Sequence, residues 1–171
     1  MELNPLHPST LDSPMNRIVY RQANIMEILS LRYSILCAHR PWDEAQFKGD
    51  GDPQTHHFGA FLVKPDGASE AIGCVSYMMT TLEGKEGAEP TWQFRGMATR
   101  DDWARKGIGR ALVFEAEEVL VNASPIRLFW CRARVPAIGF YEKLGWRVIG
   151  EQYVVEGYGP HKNMKMTIDD R

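Results

Sequence analysis

The chain has 171 residues, 44% of them hydrophobic, and a formal net charge of -2 at pH 7. That is enough apolar material for one domain with a substantial core, expected over residues 16–171. The slightly acidic balance argues against a protein that coats nucleic acid, and no apolar run approaches the roughly 20 residues that span a bilayer.

The first fifteen residues are polar and proline-rich, without the basic-then-apolar order of an export signal, and read as a flexible arm. Cys37, Cys74 and Cys131 are odd in number and far apart, and none forms a C-x-x-C pair, so reduced, buried thiols in a cytoplasmic protein are expected. His56 and His57 are adjacent and would point to opposite faces of a strand, which speaks against a metal site.

Residues 17–21 (RIVYR) form a short strand by pattern. Asn24, with Glu27 three residues on, has the form of a capping box. Ile25, Ile28, Leu29, Ile35 and Leu36 then follow helical spacing, in a helix that should end before Pro41. A second short helix over 42–47 and a loop over 48–54 (KGDGDPQ) come next. Strands are expected at 57–63 and 71–81, separated by the turn Pro65-Asp66-Gly67, with a solvated hairpin loop at 83–90.

The stretch 91–112 (TWQFRGMATRDDWARKGIGRAL) organises the rest. A strand carrying Trp92, Phe94 and Met97 meets a turn at Asp101, Asp102 and Trp103, and a basic, glycine-containing segment then opens a helix. Strand, glycine loop and helix start make an anion site, because orphan amides point outward and the helix dipole adds partial positive charge. Arg105, Lys106 and Arg110 carry the same sign, so a phosphate-bearing cofactor is expected. The G-x-x-x-x-G-K-[ST] loop is absent, and Gly107-Ile108-Gly109 lacks the third glycine of a dinucleotide fold, position 112 being Leu112.

In the helix that follows, Ile108, Leu112 and Val119 fall near one line beside Ala111 and Ala116, with Glu115 intruding at the edge. After Ser124-Pro125, residues 126–131 (IRLFWC) are apolar at nearly every position, as suits a central strand covered on both faces. Pro136 sits in the first turn of a helix through Leu144, with Gly145 as a left-handed cap. Closing strands follow at 146–155 and 162–168. Early strands followed by β-α-β-α-β predict a mixed sheet with helices on both faces.

Two motifs carry a family resemblance. Lys106-Gly107-Ile108-Gly109-Arg110-Ala111-Leu112 and, about thirty residues later, Phe140-Tyr141-Glu142-Lys143-Leu144-Gly145-Trp146 resemble the GNAT superfamily of acyl-CoA-dependent N-acyltransferases. The likeness covers about residues 17–168. It implies a GNAT-like α/β (mixed α+β) fold, with a central, mixed but mostly antiparallel, twisted sheet of about six to seven strands splayed at the cofactor cleft. It implies acetyl-CoA as cofactor, its pyrophosphate on the amides of Arg105, Lys106, Gly107, Ile108, Gly109 and Arg110. Met97, Ala98 and Thr99 would hold the pantetheine arm, and an N–H near Met97 would stabilise the oxyanion. The implied partner is a small-molecule or peptide amine, with no nucleic acid and no membrane, and homodimers are frequent among relatives.

Three positions depart from the family pattern. Ala104 stands where Gln or Arg usually precedes the loop glycine, Arg134 where Asn often opens the late helix, and Gln93 where several members carry Glu. An amide cannot take a proton as a carboxylate does.

Tyr141 shares a helical stripe with Ala137, Phe140 and Leu144, which by spacing suits a core residue. The resemblance instead implies the acid that protonates the departing thiolate. His57, Glu83 and His161 are candidates for the base, each equally readable as an ordinary surface or loop residue; His161 lies nearest the expected acceptor mouth. Trp42, Phe47 and Trp92 either line the acceptor pocket or are half-buried core aromatics. The expected activity is acetyl transfer to a primary amine by direct attack in a ternary complex. The alternative is an acyl-CoA-binding module without chemistry.

Overall fold

A computed structural model describes residues 15–170, so the expected arm lies, apart from Met15, outside the described residues. Local chemistry sets the first boundary. Strand β1 (Arg17–Ala23) stops at Asn24, whose side chain accepts the Glu27 amide at 3.2 Å while the Glu27 carboxylate accepts the Asn24 amide at 2.9 Å. This reciprocal capping box starts helix α1 (Ile25–Arg32). The expected continuation to Leu36 is helical but not α: Tyr33–Cys37 is a π turn, a widening often met at functional sites.

A 3-10 turn at Trp42–Ala45 replaces the expected second helix. Strands β2 (Thr55–Val63), β3 (Ser69–Thr81) and β4 (Pro90–Thr99) form an antiparallel meander. Helix α2 (Ile108–Ala123) leads to β5 (Leu128–Arg134), and a 3-10 turn at Val135–Ala137 leads into α3 (Ile138–Glu142). β6 (Arg147–Val155) and β7 (Gly159–Thr167) close the fold. The last strand thus starts at Gly159 rather than 162, because the register with β6 carries the ladder through Val155 and Gly159.

The seven-stranded sheet runs β1-β2-β3-β4-β5-β7-β6, antiparallel everywhere except between β4 and β5. On one face α1 buries Ile28 and Leu31 against Phe61, Cys74 and Ala98. On the other, α2 packs Leu112, Val113, Ala116 and Leu120 with Phe58, Val75, Tyr77 and Phe129, and Tyr141, Leu144 and Trp146 join the same cluster. The buried face of α2 is therefore rotated from the line read in the sequence: Val119 is 41% exposed and Leu120 is buried. Glu115 is exposed, and the carboxylate drawn into the core is Glu117.

All three cysteines are buried and free, and burial pushes the Cys74 thiol up to about 12. Among the described residues no helix is long and apolar enough to cross a membrane.

Candidate active site

The sheet parts where β4 leaves β5. The parallel pairing has only three rungs, Trp92 with Phe129, Gln93 with Trp130 and Phe94 with Cys131, after which the two strands diverge. On its other side β4 carries an extra residue. Cys74 faces Ala98 and Ser76 faces Arg95, so Gly96 and Met97 have no Cα partner on β3 or β5. Such a bulge re-aims main-chain groups. It depends on Gly96, whose φ is +61° and whose missing Cβ would come within 2.9 Å of the Arg32 guanidinium and 3.1 Å of the Phe47 ring.

Two cavities open along this split. The first, of about 340 Å³, is lined by Met97, Ala98 and Thr99 from β4, by Ala104, Arg105, Gly107, Gly109 and Arg110 from the loop, and by Ile35, Ala137, Phe140 and Tyr141. Gly107 takes φ +82° with open space in front of it, while Gly109 lets the helix start close on Met97 and Thr99. The first bond of the helix is Ala111 N–H to Gly107 O at 3.0 Å, with Gly107 as the N-cap. The amides of Ile108, Gly109 and Arg110 thus belong to the first helical turn, whose N–H groups have no partner further back in the helix. Of the expected cofactor residues, Lys106 and Ile108 do not line the cavity. The Lys106 ammonium lies over the Trp103 ring and Ile108 is buried against Ala60, Leu62 and Ile72.

The second cavity, of about 570 Å³, lies between Leu36 and Phe47 on one side and Gln93, Arg95, Arg132, Arg134, Tyr158 and His161 on the other. The two cavities share Met97, Ala137 and Tyr141 as a common wall. Tyr141 is fixed there by its own helix end. Trp146 N–H reaches Tyr141 O at 3.1 Å and Gly145 N–H reaches Glu142 O at 3.0 Å, with Gly145 at φ +86°. That pair of bonds is a Schellman closure. Burial holds the Tyr141 phenol well above its ordinary range, with the Arg134 guanidinium pulling it partly back.

The three candidate bases separate cleanly. Glu83 lines neither cavity; it accepts from Asn163 at 2.9 Å and pairs with Lys85, and these two contacts hold it below the usual carboxylate range. His57 also lines neither cavity. Its Nε2 faces the Asp50 carbonyl at 2.9 Å and so must carry the hydrogen, leaving Nδ1 to accept from the Ser76 hydroxyl at 2.6 Å. Ser76 in turn accepts from Arg32, whose guanidinium meets Asp50 at 2.5 Å, and Arg95 reaches the other Asp50 oxygen at 2.9 Å. His57 thus props a buried charge cluster.

Of the three, His161 alone lines the second cavity. Its Nδ1–H donates to Gly159 O at 2.9 Å and its ring stacks on Tyr153, which leaves Nε2 as the proton-accepting nitrogen.

Burial depresses the His57 basicity, with Arg32 and Arg95 adding to the effect against the partial support of Asp50. Above about pH 6.5 the ring is neutral folded or unfolded and contributes nothing. Below that value the unfolded chain takes a proton that the folded chain resists, so stability falls as pH drops. The urea midpoint is expected to fall between pH 7.5 and 5.5, and to fall less in His57→Gln; equal falls in both proteins would refute this account.

Of the aromatics expected at an acceptor pocket, Phe47 lines the second cavity. Trp92 is core, 2% exposed, and Trp42 is exposed, its ring tilted against Tyr33. Arg95, Arg132 and Tyr158 were not foreseen from the sequence. They arrive from a bulged strand, a diverging strand and the β6–β7 turn, and only the fold brings them together.

Residues 23–146 match the family described as Acetyltransferase (GNAT) family. An uncharacterized N-acetyltransferase of Bacillus subtilis (strain 168), YitI, is 30% identical over 145 residues, 85% of this chain and 93% of that protein. Among solved structures, NAA60 of Arabidopsis thaliana in complex with acetyl-CoA superposes with a TM-score of 0.71 at 17% identity, over 90% of this chain and 99% of that one. FeeM, an N-acyl amino acid synthase from uncultured soil microbes, gives 0.70 at 16% identity, over 91% and 93% of the two chains. These two show the shared fold, with the same open sheet; the sequence matches show more, and by them the chain belongs to the GNAT family of acetyltransferases and is an acyltransferase.

Proposed function

We propose that the protein moves an acetyl group from acetyl-CoA to a primary amine by direct attack within a ternary complex. The observation that carries this reading is the common wall of Met97, Ala137 and Tyr141 between the two cavities, which lets one molecule enter from each side. The donor side fits the cofactor: the amides of the first turn of α2, with Arg105 and Arg110 lining the cavity, suit a diphosphate. Met97, Ala98 and Thr99 would hold the pantetheine arm. When bound, acetyl-CoA supplies an activated thioester carbonyl.

The chain's own groups then divide the work. The bulge at Gly96 and Met97 offers a main-chain N–H to the charge that develops on the carbonyl oxygen. As the nitrogen–carbon bond forms and the carbon–sulfur bond breaks, one proton must leave the amine and one must reach the sulfur. His161 Nε2 takes the first and the Tyr141 hydroxyl gives the second. In water a phenol near 10 donates to a thiolate near 8.5 slightly uphill. In the cleft both anions are desolvated together, so the raised phenol does not by itself make the transfer worse, and Arg134 favours the phenolate.

Gly107→Val tests the donor side. A β-branched residue at φ +82° is strained by about 1–3 kcal/mol. The coenzyme A dissociation constant, by calorimetry, is expected to rise about tenfold or more. Unchanged affinity would show that the turn does not hold the diphosphate.

A further inference from the structure

The acceptor-side cavity has an uneven charge. Arg95, Arg132, Arg134 and His161 line it, and no Asp or Glu does. Three acids from other segments are already engaged: Asp50 is shared between Arg32 and Arg95, Glu44 pairs with Arg40, and Glu83 with Lys85. Arg132 and Arg134, by contrast, form no ion pair with any described residue. They alternate on β5 and so project from the same face of the sheet. Their register partners on β7 are Asn163 and His161. Each guanidinium lies over an aromatic ring, Arg132 over Trp130 and Arg134 over Tyr158. That arrangement presents planar donors without neutralising them.

We infer that the acceptor is an amine that also carries an anionic group, a carboxylate or a phosphate, which Arg132 and Arg134 grip while the amine is turned toward Tyr141. The inference rests on the acetyl-transfer reading above and names its substrate class. Two uncompensated guanidinium groups repel a polycationic acceptor and match the forked geometry of an oxyanion. The same field serves the chemistry. It disfavours the ammonium form of the bound amine, so the nucleophilic free base is more populated at neutral pH and His161 has less to do.

The test is a thiol-release assay with acetyl-CoA over matched acceptors: amino acids against their amides, aminoalkyl phosphates against the corresponding amino alcohols, and spermidine with an aminoglycoside as polycations. The anionic member of a pair is expected to show kcat/KM about tenfold or more above its neutral partner. Whether the carboxylate or the phosphate pairs show it identifies the group bound. In Arg132→Gln and Arg134→Gln that ratio should collapse toward one. Because Arg134 also neighbours Tyr141, a mere loss of acid strength would lower both members of a pair equally and leave the ratio intact. Preference for neutral or polycationic acceptors, or a ratio unmoved in both variants, overturns the inference. If no acceptor releases thiol although coenzyme A binds by calorimetry, the transfer reading itself has failed and the inference falls with it.

Discussion

Tyr141→Phe is expected to lower kcat by about a hundredfold or more while leaving coenzyme A affinity nearly unchanged, as befits loss of a general acid. Tyr141 lines both cavities, and of the three residues they share it alone carries a titratable group. The ring itself is held by an edge contact to Phe94 at 5.4 Å and a tilted one to Trp146 at 5.9 Å, contacts that phenylalanine keeps. A large fall in kcat with an unaltered melting temperature therefore isolates the proton. Turnover that survives would reassign Tyr141 to the core stripe on which its spacing already places it, and leave the sulfur to be protonated by water.

Asp50→Asn is expected to remove about 3–5 kcal/mol of folding stability, read from urea denaturation. Asp50 and Arg32 side chains are wholly shielded from water and Arg95 is 15% exposed, and among the described residues the carboxylate is the sole counter-charge paired with the two guanidinium groups. Burial already opposes the charged form of Arg95, with Asp50 the main support against it. An amide keeps the shape and loses the charge, stranding both cations. The same cluster backs the Gly96 bulge, because Arg32 stands where a Cβ at Gly96 would go. A loss below about 1 kcal/mol, the worth of a surface ion pair, would show that water reaches the cluster.

Much of this architecture was legible because it is written locally. The Asn24–Glu27 box and the Gly107 and Gly145 turns each follow from a few adjacent residues and appear where expected; the strand expected over 126–131 is found two residues later, as β5 (Leu128–Arg134). The glycine loop and the late helix were legible for the same reason. What was not legible depends on partners distant in the chain. Arg32, Asp50, His57 and Ser76 come from four separate segments, and nothing in the spacing of any one marks it as part of a charge cluster. Helical spacing grouped Val119 with the core line, yet the helix rests on the sheet along Leu112, Ala116 and Leu120, which only the packing angle decides. A signal for the bulge did exist. Gly96 interrupts an otherwise apolar-alternating strand, and an isolated glycine in such a pattern marks a bulge or a close approach.

The three-rung seam between β4 and β5 has a mechanical consequence. Residues 17–99 and 128–167 form two leaves, each a continuous run of antiparallel neighbours, stitched to one another at one end only. A ligand wedged in the open end touches both leaves at once and acts as the missing stitch. Occupancy and resistance to unfolding then rise together, since a molecule bound by the closed book and not by the loose pages shifts the balance toward the former.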